Sequence, residues 1–210
     1  MSVFDFLKGK KPEGRGGSFE KWANWAGNKK AQAYDRQEAI NGLCELGTSH
    51  AAEALLRRFL FSVDPSITDQ EEKERAFTGI AKAGREALEP IRAFAAKSES
   101  LAWPIRLLRE ILTESEQIDE LVAWLSRWDT EYSKFIDAKL QLLAALESYQ
   151  DKRVVDAVLP FLDDVNETAR FHAVCTLLKQ TDERIAPALQ TMSANEESVR
   201  VRNKAREGFT

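Results

Sequence analysis

The sequence predicts an all-α protein, an α-solenoid of about five helical hairpins closed by a C-terminal capping helix. Three observations carry this. Apolar residues recur at the i, i+3, i+4, i+7 spacing that puts side chains on one helix face, as at Ala169, Ala173, Val174, Leu177 and Leu178, and again at Ile185, Ala188, Leu189 and Met192. No run alternates polar and apolar residues between turn residues, which is the pattern of a strand. The amphipathic pairs also recur. Aligning the last apolar turn of each first helix puts Leu46, Ala83, Ile111, Leu146 and Leu178 in one position, 37, 28, 35 and 32 residues apart. One pair of short, one-faced helices cannot bury both apolar faces, so copies must stack.

In chain order, residues 1–17 place Val3, Phe4, Phe6 and Leu7 ahead of Lys8, Lys10 and Lys11 and then run into Pro, Gly and Arg, the composition of a flexible tail. That tail reads as a frayed terminus. The alternative is docking to a partner, or contact of Phe4, Phe6, Leu7 and Lys8 with an anionic membrane surface. Residues 18–210 form the repeat domain. Phe19, Trp22 and Trp25 open a helix that breaks near Gly27, and the two tryptophans, three apart, are placed to cover the open apolar end of a stack. The next helix runs through Tyr34, Ile40, Leu43, Cys44 and Leu46 to Gly47, a C-cap in the left-handed conformation that glycine adopts cheaply. Second helices of the five hairpins fall near 49–62, 85–97, 117–128, 151–162 and 183–193, and 196–208 supplies the cap.

Arg75, Arg170 and Arg200 each sit eight residues before the end of a first helix that begins with acidic or Asn residues, and Pro90, Pro160 and Pro187 recur in second helices. This pattern is similar to the HEAT-like repeats of bacteria, the type also seen in phycobilin lyases, over about residues 34–209. The third unit departs from it, with Trp103-Pro104 where the arginine would fall, and the fourth lacks the arginine. The resemblance implies that second helices line a concave face.

Composition narrows the function. The formal net charge is −4, but residues 1–33 hold seven Lys and Arg against three acids, so the remainder is about −8. That balance argues against a phosphate backbone as partner, because nucleic-acid binding rests on Lys and Arg contacts. Cys44 and Cys175 lie in apolar helical runs far apart, which fits a reducing compartment, and no segment has the ~20 apolar residues of a membrane span, so a cytoplasmic location is expected. His50 and His172 fall in different units and are each followed by Ala, unlike the repeated His-Glu pairs of the diiron HEAT-repeat hydroxylases. No GxxxxGK[ST], HExxH or CxxC motif occurs. No catalytic residue, cofactor or metal is expected.

Three features could bind a partner. The segment Phe61 to Asp69, containing Asp64 and Asp69, reads as the longest connection between hairpins, or else as a capped helix start with Thr68 or Asp69 as N-cap. Trp124 and Trp128 flank a core stripe of Ile118, Leu121, Val122 and Leu125, and Phe161 stands in the same relation to Val155, Val158, Leu159 and Leu162. These aromatics form either an exposed ledge or packing between neighbouring repeats. Arg57, Arg58, Arg92 and Arg127 lie off the apolar stripes and read as a basic strip or a solvated face. The expectation is a non-enzymatic scaffold that binds another protein along its concave face. A bilin-lyase-like enzyme or accessory factor is the alternative, and a DNA-alkylation-repair-like nucleic-acid binder comes after it.

Overall fold

The computed structural model describes residues 16–209; the tail residues Phe4, Phe6, Leu7 and Lys8 lie outside them. The described residues are helices and turns with no strand. Tertiary contacts divide the chain into two compact units, residues 1–94 and 95–210.

In the first unit α1 (Gly16–Ala26), α2 (Ala33–Leu46) and α3 (Ser49–Leu56) pack on one another, and α4 (Ser66–Ala83) packs on α2 and α3. Gly47 ends α2 at φ +58°, as its position in the sequence requires. Thr48 then caps α3 by accepting from the Ala51 amide. Two glycines admit close helix crossings. A Cβ on Gly42 would meet the Trp22 ring at 2.7 Å, and one on Gly79 would meet Cys44 Sγ at 2.3 Å. Trp22 thus lies against the Gly42 face of α2. The unit ends with α5 (Leu88–Ala95), which carries Pro90 in its first turn, where no intrahelical N–H is lost.

In the second unit α6 (Ala102–Ile111) packs on α7 (Glu114–Leu125), and α7 packs on α8 (Asp137–Leu146) and α9 (Lys152–Val158). The first helices α8, α10 (Glu167–Leu177) and α12 (Val199–Arg206) pack side by side. On another side α7 meets α9, and the 3-10 turn Leu159–Asp163 that extends α9 meets α11 (Ile185–Asn195). The core of this unit includes Leu121, Leu142, Leu146, Val155, Val158, Ala173, Leu177 and Leu189, all at most 1% exposed.

Two boundaries differ from the sequence reading. The connection after the first hairpin is only 61–65, because α4 begins at Ser66; Thr68 and Asp69 therefore lie inside its first turn and neither is the N-cap. The longest irregular segment among the described residues is 126–136, between α7 and α8. Arg57–Leu60 and Leu159–Asp163, which read as α-helix in the sequence, are 3-10 turns.

Candidate functional site

Of the expected basic strip, Arg58 is not on the surface. It is fully buried, donating to Glu72 Oε2 at 2.7 Å, to Asp69 Oδ1 at 2.7 Å and to the Phe61 carbonyl at 3.0 Å. Arg36, which the sequence reading passed over, clamps the same Glu72 with two hydrogen bonds of 2.7 and 2.9 Å. Arg58 stands three, four and seven residues after Leu55, Ala54 and Ala51, all buried, so ordinary helical spacing already carries it to the inner face, and Arg57 lies off that face. Arg57 is exposed and reaches Glu53 only at 4.0 Å. Asp69 is likewise a structural partner, accepting from Arg58, Lys73 and the Val63 amide. Burial alone would raise its carboxyl; the bonds from Lys73 and Arg58 outweigh this and hold it below the usual range. Asp64 is exposed, and Arg92 is half-exposed beside Glu89.

Of the two readings of the aromatics, burial favours packing over an exposed ledge for Trp124 and Phe161. Trp124 is 2% exposed and Phe161 4%. Trp124 follows Leu121 by three and precedes Leu125, so it belongs to the buried stripe in place of the half-buried Val122. Phe161 follows the buried Val158 by three and Val154 by seven, so it continues their inward face. Only Trp128 of the three remains partly exposed, and Arg127 beside it is exposed. The indole N–H of Trp124 has no hydrogen-bond partner among the described residues.

Two polar ladders, invisible as motifs, organise the second unit. In the first, an acid two residues ahead of a helix cap accepts the cap's amide and a cation from the preceding first helix. Asp164 accepts Asn166 N at 2.8 Å and Lys139 Nζ at 2.6 Å; Glu196 accepts Ser198 N at 2.8 Å and Arg170 Nε at 2.7 Å. Six residues after each acid an arginine returns to its carbonyl, Arg170 to Asp164 O at 2.8 Å and Arg202 to Glu196 O at 2.7 Å. The structural equivalent of Arg170 is therefore Arg202. Arg200 instead lies over the Phe171 ring at 4.2 Å, and Arg75 bonds Asn41. In the second ladder Asp151 and Asp182 each hold the arginine two residues on, and Arg153 then reaches Asp119 at 2.6 Å and Arg184 reaches Asp156 at 2.7 Å. The Arg153 bonds bring the Asp151 carboxyl down to about 2.

The second-helix row leaves two grooves. One, of about 600 Å³, lies between α7 and α9, with Val122, Leu125, Ala157, Pro160 and Phe161 in its wall and Trp128 at its edge. The other, of about 680 Å³, lies between the 159–163 turn and α11, with Leu159, Leu162, Ala188 and Met192 below Asp163 and Glu197. The loop 126–136 borders the first. Lys139, fully buried, holds that loop by donating to the carbonyls of Asp129 and Glu131, while Tyr132 and Phe135 stand out at 83% and 48% exposure.

Reactive groups are dispersed. Burial raises the thiols of both Cys44 and Cys175, which keeps them protonated and poorly nucleophilic. Cys175 is half-buried, less enclosed than the core position expected of it. His172 contacts Glu147 at 2.9 Å, and His50 is exposed in the other unit. Among the described residues no three His, Cys, Asp or Glu side chains are grouped to hold a metal ion, and no helix is long and apolar enough to cross a membrane. The chain matches no family model, no curated protein and no solved structure.

Proposed function

We propose that this chain is a non-enzymatic interaction module, built as a solenoid of HEAT-like hairpins, that binds a partner protein along the row α7, α9 and α11. The repeat reading is supported by the 32-residue recurrence of acid, cap and arginine at Asp164, Asn166 and Arg170 and at Glu196, Ser198 and Arg202, each joined to the preceding unit by the same kind of bond. The observation that carries the binding reading is the apolar groove between α7 and α9, edged by the half-exposed Trp128. Tryptophan at the edge of a preformed apolar groove suits a docking hot spot, since a large rigid side chain is buried there at little entropic cost. A cytoplasmic partner fits the two free cysteines.

The test is co-purification of a protein from the native host with the wild type, with Trp128→Ala and with Ala157→Glu, each checked for an unchanged melting temperature. The proposal expects a partner retained by the wild type and lost by both variants. Retention by stable variants would contradict it.

A further inference from the structure

Resting on that reading, we infer that the occupant of the row is a basic peptide segment with an apolar anchor: one large apolar residue seated between α7 and α9 and a Lys or Arg about three residues away over the groove beside α11. Two observations lead there. The first is charge. The residues lining the two grooves include six carboxylates, Asp129, Asp156, Asp163, Asp164, Glu196 and Glu197, against two guanidinium groups, Arg153 and Arg170. Three of those carboxylates are matched by cations, Asp164 by Lys139, Glu196 by Arg170 and Asp156 by Arg184. Arg153 is spent on Asp151 and Asp119, outside both grooves. Among the described residues, Asp129, Asp163 and Glu197 are left exposed with no cation within salt-bridge distance. The site therefore attracts cations and repels an acidic partner.

The second observation is the layout. The grooves lie on opposite sides of the 159–163 turn, with Pro160 and Phe161 facing one and Leu159, Leu162 and Asp163 facing the other. Neighbouring helices sit about 8–10 Å apart. An extended peptide advances about 3.3 Å per residue, so an anchor in the apolar groove places a residue about three positions on above Asp163 and Glu197. A long Lys or Arg stem can also lie on the apolar wall of Leu162 and Met192 while its charge meets the carboxylates.

Fluorescence anisotropy on the full chain tests this with three labelled peptides. The probe is Ser-Phe-Leu-Ser-Gly-Lys-Lys-Ser, the second peptide carries Glu for both Lys, and the third carries Ser for Phe and Leu. The probe is expected to bind at least ten-fold tighter than either control. Its affinity should fall at least five-fold in Asp163→Lys/Glu197→Lys and by less than two-fold in Glu110→Lys, an exposed reversal on α6. Equal or tighter binding of the Glu peptide, or no effect of the double reversal, overturns the basic partner while leaving protein docking at this row intact. Binding of the Lys-only control as tight as the probe overturns the anchor. Failure of all three peptides to bind overturns the inference as a whole, whereas the proposed function stands or falls on the co-purification with Trp128→Ala and Ala157→Glu.

Discussion

Replacing Lys139 by Met tests how the loop beside the apolar groove is held. Lys139 and Asp164 are both fully shielded from solvent and lie 2.6 Å apart, and the ammonium also donates to Asp129 O at 3.1 Å and Glu131 O at 3.3 Å. Methionine keeps most of the stem but removes the charge, leaving a buried carboxylate with the Asn166 amide as its remaining donor, together with two released carbonyls. Breaking one side of a buried ion pair costs about 3–5 kcal/mol. At about 2–4 °C per kcal/mol for a chain of this size, the melting temperature by circular dichroism should fall by about 10 °C. Trypsin should also cut faster after Arg127 or Lys134, because the 126–136 loop loses its tether. Adding Asp164→Asn should recover at least a third of the loss, since the amide still accepts from Asn166 N without a buried charge. A loss below about 1 kcal/mol, or no recovery in the double variant, would refute the reasoning.

Adjacent arginines should behave oppositely: Arg57→Ala should change stability by less than about 1 kcal/mol, whereas Arg58→Ala, which strips Glu72 and Asp69 of a buried partner, should cost about 3–5 kcal/mol by thermal melting. Trp124→Phe should be nearly neutral, because the indole N–H it removes is unpaired, while Trp124→Ala should cost about 3–5 kcal/mol in lost packing. The hydrogen bond from Arg170, reinforced by the Ser198 amide, holds the Glu196 carboxyl below its usual value. Because its folded value is depressed, its contribution is complete above the unfolded value of about 4.3 and is lost as pH falls through the folded value. The stability gap between wild type and Glu196→Gln should therefore be widest above about pH 5 and narrow below about pH 4; a gap constant from pH 3 to 7 would contradict the assignment.

Helix placement was legible in the sequence because apolar spacing is set by the core, and Gly47 announced its own cap. What misled was the choice of stripe. Arg58 continues the buried series Ala51, Ala54 and Leu55, and Phe161 continues Val154 and Val158, at ordinary helical spacing; reading Arg58 by its charge and starting the second stripe at Val155 left both outside. Reading Val122 as core displaced Trp124 by the same logic. The ion ladders were hidden for a different reason: Lys139 with Asp164 and Arg170 with Glu196 are 25 and 26 residues apart, and nothing local marks a charge as buried. The spacing of Asp164, Asn166 and Arg170 from Glu196, Ser198 and Arg202 was a signal that could have exposed them, had polar residues been aligned alongside apolar ones.

A photo-crosslinking amino acid at Ser126, exposed on the groove between α7 and α9, tests the central claim most directly when compared with the same residue at Glu110 on α6. Irradiation in the native host followed by mass spectrometry should give a discrete protein adduct from position 126, none from 110, and loss of that adduct with Ala157→Glu. Equal crosslinking at both positions, or an adduct at 126 that persists with the groove blocked, would contradict binding at the second-helix row.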